Sequence, residues 1–316
     1  MATRTSAIGT TAREEVLRGL RGHRRDVSGI VFQFLLLLTL IVALAVLLIL
    51  LVNVARTAIP VLQEDGARIL SSSYSSLPAN AGIKNGLIGS LYLMLFVIIV
   101  AFPLGIGAAV YLEEYARDTR LTRTINANIR NLAGVPAIVY GILGLAVFVE
   151  LLGGFTGPGT TQGKSLVTGG LTISIMVLPI LIITTAEALR AVPRSIREGG
   201  YGVGATRWEV VRSHVLPNAA PGILTGSVLA MARALGETAP LLMVGAVQGF
   251  LATSGGFVDA FQQRFTALPT LIYVYTKKPQ EEFQDLAAAA ILILMVTIFL
   301  VNLTAILLRN RYERKW

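Results

Sequence analysis

Arg233 and Glu237 are the residues of this sequence best placed to do chemistry. They stand four apart and are the only Asp, Glu, Lys or Arg between residues 213 and 258. On a helix, positions i and i+4 share a face and can pair. A single charge at the centre of a membrane helix costs about 2.5–3.5 kcal/mol. Ionisable residues there turn toward protein or water and are functional candidates by default. Arg suits an oxyanion because its planar fork bonds two oxygens at once. The same pair has a plainer use, since two opposite charges one turn apart neutralise each other. Beside it, Gly222, Gly226, Ala230, Ala234 and Thr238 recur every four residues. A stripe of that kind lets a second backbone approach closely.

Other chemistries lack raw material. There are no cysteines, which removes disulfides and thiolate ligands, and the only histidines are His23 and His214. A zinc site or a Ser-His-Asp triad has almost nothing to draw on. Gly163-Lys164-Ser165 invites a phosphate-loop reading, but the glycine required five residues earlier is Pro158. No buried strand precedes it, so the segment reads as a Gly-rich turn between two helices.

A second constellation lies at 190–217. Pro193 opens a stretch containing Glu198, Gly199, Gly200 and Gly204. A second stretch, from Arg207 to Leu216, ends at Pro217. Gly204 suits a left-handed turn between two short helices, and Pro217 is expected to end the second and open the next span. Gly199 and Gly200 should each weaken the first helix by about 0.8–1.0 kcal/mol relative to Ala. That helix is therefore expected to be short, or ordered only against a partner.

The elements that must carry these residues follow from where charge is missing. Of 316 residues, 54% are hydrophobic and 14% charged, against about 25% charged in soluble domains. This excludes an ordinary soluble domain and a disordered chain. Charge-free runs predict six membrane helices near 29–54, 86–112, 131–151, 166–189, 219–247 and 286–308. An apolar stretch at 265–276 is too short to span and reads as re-entrant or interfacial. The first helix is almost uniformly Leu, Val and Ile, which suits a peripheral, lipid-facing position. The others are rich in Gly, Pro, Ser and Thr. The segments 1–27, 113–130, 190–217 and 309–316 carry 19 of the 27 Lys and Arg, and the alternate segments carry 7. The positive-inside rule then places both termini and the 190–217 loop in the cytoplasm. The net charge of +9 is read as a topology signal, with the bilayer and not nucleic acid as partner.

Several segments together resemble the A-type permease subunits of bacterial high-affinity phosphate ABC importers. They are Tyr111-Leu-Glu-Glu-Tyr115, Asn131-Leu-Ala-Gly-Val-Pro136-Ala-Ile-Val-Tyr140-Gly141, and Glu187-Ala-Leu-Arg-Ala-Val-Pro193. The most specific is Ala232-Arg-Ala-Leu-Gly-Glu237-Thr-Ala-Pro-Leu-Leu242. Glu198, Gly204, Leu216 and Pro217 also match the spacing of the Glu-Ala-Ala cytoplasmic loop of such permeases, with Gly199 and Gly200 in place of its alanines and His214 in place of its Ile. One departure is Ile183-Thr-Thr-Ala-Glu187, where relatives often carry Arg-Thr-Thr-Glu-Glu. The missing Arg shifts anion contact toward Arg233 or toward a sister subunit.

The resemblance implies an all-α integral membrane fold of six transmembrane helices, one peripheral N-terminal helix plus the five-helix MetI-like core of ABC importers. The expected divisions are a basic tail at 1–28, an accessory helix at 29–54, a permease domain at 86–308 and a basic tail at 309–316. It implies a non-enzymatic subunit of a bacterial inner-membrane importer for inorganic phosphate, with no cofactor of its own. ATP and Mg would sit on two partner ATPase subunits docked at Glu198, Gly199, Gly200, Gly204, Leu216 and Pro217. A sister permease and an extracytoplasmic phosphate-binding protein complete the expected assembly. Arg233, Glu237 and Thr238 would lie on the translocation path. Composition and spacing leave open a permease for phosphonate, sulfate or molybdate.

Overall fold

The computed structural model describes residues 27–157, 159–247 and 261–312. Most of the expected basic tails, and residues 248–260 of the outer segment, lie outside these. The chain divides into two compact units, residues 1–53 and 54–316. Among the described residues, five helices are long and apolar enough to cross a membrane, and a sixth span is made if one bent pair counts as a unit.

The first of these helices, α1, runs Val27–Ser71. Its apolar part, from Val27 to Val52, exposes its Leu, Val, Ile and Phe side chains apart from Leu51. Such a surface is stable only against hydrocarbon or another apolar face. The helix continues well past the predicted end at 54, through Arg56 and Pro60. Charges mark where hydrocarbon ends, not where a helix must end. The continuation is amphipathic: Ala58 and Ile69 are fully buried, Arg68 pairs with Asp65 at 2.6 Å, and Glu64 is exposed.

The remaining unit is a helical bundle. Helix α2, Lys84–Val110, is prolonged by a π turn, Tyr111–Tyr115. Helix α3, Arg120–Ala133, is capped by Thr119, whose side chain accepts from the Thr122 N–H at 3.2 Å. Helix α4, Ala137–Gly144, extends as π helix through Leu151. The predicted third span at 131–151 is therefore corrected: α3 and α4 meet at 102°. Pro136 explains the break, because the residue before a proline is pushed out of the helical region. Helix α5, Leu166–Ala191, follows the Gly-rich turn. Ser165 caps it, accepting from the Thr168 N–H, so Gly163-Lys164-Ser165 is a helix start without a preceding strand.

Helix α6, Arg194–Gly202, leads to α7, which runs without interruption over Arg207–Gly236. A short α8, Ala239–Met243, comes next. Helix α9, Leu268–Thr276, corresponds to the short apolar stretch and is buried: Leu268, Leu271 and Tyr275 are at most 1% exposed. It is tied in by polar bonds, Leu268 N–H to Ser90 Oγ at 2.8 Å and Tyr275 O–H to the Gly82 carbonyl at 2.7 Å. Helix α10, Glu281–Tyr312, closes the bundle. The central core joins Leu93, Val97, Ile173, Val177, Leu181, Ala230, Ala234 and Leu241 from α2, α5, α7 and α8.

Candidate functional site

The predicted continuous fifth span is broken where its charges lie. Helix α7 stops at Gly236, and Glu237 has extended backbone, φ −77°, ψ 124°. Pro240 accounts for this. In an unbroken helix its missing N–H would leave the Gly236 carbonyl without a partner, and its ring would clash with that carbonyl. Glu237 therefore lies one residue beyond the helix instead of on its face, and Thr238 is the residue before α8. The pair still forms: Arg233 Nε donates to Glu237 Oε1 at 3.2 Å. Arg233 is 35% and Glu237 22% exposed. Among the described residues, the Nη atoms of Arg233 make no hydrogen bond. The terminal edge of its fork is thus available to a second oxyanion while Nε is held by Glu237.

Close packing places this break. The small-residue stripe of α7 lies on α5. A Cβ added at Gly222 would come within 2.7 Å of Ala188 Cβ, and one at Gly226 within 2.5 Å of Thr184 Cβ. Ala230 and Ala234 are buried in the central core. On the other side, α4 abuts α8, and a Cβ at Gly141 would sit 2.6 Å from Pro240 Cα. Tyr140, 5% exposed, donates its O–H to the Leu132 carbonyl at 2.8 Å and fixes α4 against the end of α3. Thr184, Glu187, Thr225 and Asn302 line a separate cavity of about 600 Å³ between α5, α7 and α10. Glu187 of the departing Ile183–Glu187 segment faces it, and Arg233 does not.

The 190–217 loop is a helical hairpin. Gly204 adopts φ +82°, a conformation that a residue with a Cβ resists. Thr206 and Glu209 form a reciprocal capping box at the start of α7. Pro217 corrects the expectation of a second helix end. The chain passes through it by a π turn, Val211–Val215, whose Leu216 N–H bonds back to Val211 O. The wider turn accommodates a proline at the cost of one hydrogen bond. Helix α6 is nine residues long and formed, despite Gly199 and Gly200. Gly200 has a packing reason, since a Cβ there would meet Val210 Cγ2 at 2.8 Å; Gly199 has open space. The hairpin is seated by Val210 and Val215, both fully buried, in a cluster with Leu189 and Val192. Glu198, Gly199 and Gly204 are exposed, as are Tyr201, Val203 and Trp208.

Four residues that position this loop had no assigned role in the sequence. Arg190 at the end of α5 makes a two-point ion pair with Glu113, Nε to Oε2 at 2.8 Å and Nη2 to Oε1. Arg197 in α6 pairs with Glu114, Nη2 to Oε1 at 2.7 Å. The available signal was charge type: Glu113 and Glu114 are adjacent acids at the end of a span, next to segments rich in Arg. The partners lie 77 and 83 residues away, a pairing that local spacing does not encode.

A family model described as "Binding-protein-dependent transport system inner membrane component" matches residues 101–316. The "Phosphate transport system permease protein PstA" of Yersinia pestis is 34% identical over 230 residues, 72% of this chain and 72% of that protein. The "Probable ABC transporter permease protein YqgI" of Bacillus subtilis (strain 168) is 33% identical over 175 residues, 55% of this chain and 57% of the relative. The chain thus spans little more than half the length of that relative. Among solved structures, a bacterial alginate ABC transporter in complex with an alginate-bound periplasmic protein aligns with a TM-score of 0.62 at 15% identity, covering 91% of this chain and 96% of that one. An inward-facing MetNI methionine ABC transporter aligns with a TM-score of 0.52 at 18% identity, over 74% and 95%. At such identities the likeness is one of fold, and it is the importer-permease fold expected from the sequence.

Proposed function

Since the chain belongs to the family of binding-protein-dependent transport system inner membrane components, we propose that it is the permease subunit of an ATP-driven importer whose cargo is inorganic phosphate. The observation that carries the cargo is Arg233, about one-third exposed at a break in an apolar span, with Glu237 on one edge of its fork and the other edge open. Glu237 limits the net charge at the site. A lone cation would hold a dianion too tightly for release, and a paired one binds weakly enough for passage. Thr238, at the break itself, is the third residue assigned to the path. The likeness to the Yersinia phosphate permease supports the same cargo.

The working cycle follows from the parts. The permease pairs with a sister permease to enclose the path, and an extracytoplasmic phosphate-binding protein delivers cargo. Two ATPase subunits, which hold the ATP and Mg, dock on the loop through Glu198, Gly199, Gly204, Leu216 and Pro217, with Gly200 packed beneath against Val210. This chain contributes no catalytic residue. Closure of the ATPases moves the 190–217 loop and alternates the access of the path. An energy source is needed because each negative charge entering an inside-negative cell opposes about 2.3 kcal/mol per 100 mV. Both termini and the loop lie in the cytoplasm of a bacterial inner membrane. A cysteine introduced at Ser76 then labels from outside intact cells, and one at Arg212 does not; the reverse pattern refutes this orientation.

The deciding experiment is radiolabelled phosphate uptake in a deletion strain complemented with variants. Arg233→Gln abolishes uptake with the complex still assembled, and Arg233→Lys, which keeps charge but loses the fork, retains part of it. Recovery of uptake in Arg233→Gln with Glu237→Gln would show that the pair serves structure alone. Uptake of sulfate, molybdate or phosphonate in place of phosphate by the wild-type strain would reassign the cargo.

A further inference from the structure

The turn that ends α2 holds more of the molecule than its five residues suggest. Tyr111–Tyr115 is a π turn, and three consecutive side chains in it take partners on three different elements. Glu113 accepts both arms of Arg190 from the last turn of α5. Glu114 accepts from Arg197 of α6, by Nη2 at 2.7 Å and by Nε at 3.2 Å. The Tyr115 ring lies under the Arg207 guanidinium of α7, 5.2 Å from centroid to Cζ.

Arg197 is the centre of this arrangement. Besides Glu114 it donates to the Val192 and Leu189 carbonyls, each at 2.8 Å, so it also caps the C-terminal end of α5. The Glu114 side chain is 5% exposed and Arg197 19%. A carboxylate removed from water to that degree needs its partner in place. Separating the pair would strand that carboxylate, so it ties α6 to the end of α2. Glu113–Arg190 is more open, at 17% and 53%.

The covalent chain delivers any movement of the 190–217 loop to α5 and α7, the helices at its two ends. It does not deliver it to α2, which is joined to α5 along its length by apolar contacts such as Leu181 against Gly105. Apolar contacts are non-directional and fix orientation less than a forked ion pair, which has one geometry. We propose that the Tyr111–Tyr115 turn is the joint that transmits loop movement to α2, with Glu114–Arg197 as its main positioning pair and Glu113–Arg190 as the second. This rests on the reading of the 190–217 loop as the ATPase-coupling surface.

The test is phosphate transported per ATP hydrolysed, measured in proteoliposomes of the whole complex with its binding protein outside. Glu114→Gln and Arg197→Gln keep the ATPase subunits bound and hydrolysing ATP, and lower the transport-to-ATP ratio at least tenfold. Arg197→Lys, which keeps the charge, recovers part of that ratio. Glu113→Gln lowers it less, by about threefold. A role in stability alone would reduce the amount of complex and leave the ratio unchanged. Wild-type ratios in Glu114→Gln and Arg197→Gln overturn the joint. If those two variants fail to accumulate, Glu113→Gln and Arg190→Gln decide, and wild-type ratios in both overturn it equally. A wild-type complex that retains no ATPase subunit refutes the coupling reading itself, and the joint with it.

Discussion

At the 190–217 hairpin, carboxylates and guanidinium groups from elements far apart in the chain meet in two ion pairs, one of them buried. At the Glu237–Thr238 break there is one part-buried pair, and contacts between small residues do the rest of the positioning. The contrast reflects the two solvents. Near water, charged groups are partly solvated before and after pairing, so several can gather. Within hydrocarbon, apolar side chains gain little by leaving lipid for one another, and helices are held by close approach instead. Packing shape thus positions Arg233 with only its Nε bonded, to Glu237, among the described residues, which suits the anion site proposed above.

The contrast can be broken first at the membrane side. Gly226→Val drives two methyl groups and a Cβ into Thr184. Overpacking of this kind costs about 1–3 kcal/mol, with no charge altered. The expected outcome is the largest of the series: loss of most of the protein from the membrane fraction on immunoblots. Normal abundance and uptake would mean that α5 and α7 are not held by the stripe.

The loop offers a milder break. Gly204→Val forces a β-branched residue to φ +82° at about 1–2 kcal/mol. The buried Val210 and Val215 still seat the hairpin, so the protein stays in the membrane while uptake falls several-fold. Full uptake would remove Gly204 from the coupling surface. The smallest effect sharpens the comparison within one helix. Gly199→Ala meets open space and raises stability by about 0.5–1 kcal/mol, seen as a higher unfolding temperature of the purified protein. Gly200→Ala meets Val210 and yields no such gain. Equal shifts in both would show that the packing of α6 on α7 is loose.

How much of this was legible in the sequence follows from the range of the forces involved. Hydrocarbon acts on every residue of a span, so charge-free runs locate α2, α5 and α10 within a few residues. The same rule misplaces the ends of α1 and α7, because nothing in the loss of hydrocarbon stops a helix. Gly204 declared its turn because a positive φ selects for one residue type. Pro136 and Pro240 were visible as residues, but hydropathy windows do not register a missing N–H, so the breaks they cause at α3–α4 and α7–α8 were passed over. Arg233 and Glu237 were identifiable by isolation in an apolar run. Arg190, Arg197, Glu113 and Glu114 were not, since charges in a charge-rich segment carry no mark of which distant partner they meet.

The π turn at Val211–Val215 has a mechanical consequence. Above it, α7 runs as α-helix from Leu216 to Arg233, with Pro221 in its second turn, a rod of about 26 Å at 1.5 Å per residue. Below it, the capped first turn rests on the loop. A tilt of about 5° at the wide turn swings the far end of such a rod by about 2 Å. That displacement takes a guanidinium from hydrogen-bonding reach of a fixed oxygen to well outside it. In the proposed transport cycle, a small angular stroke at the loop end is thereby geared into the difference between gripping an anion and letting it go.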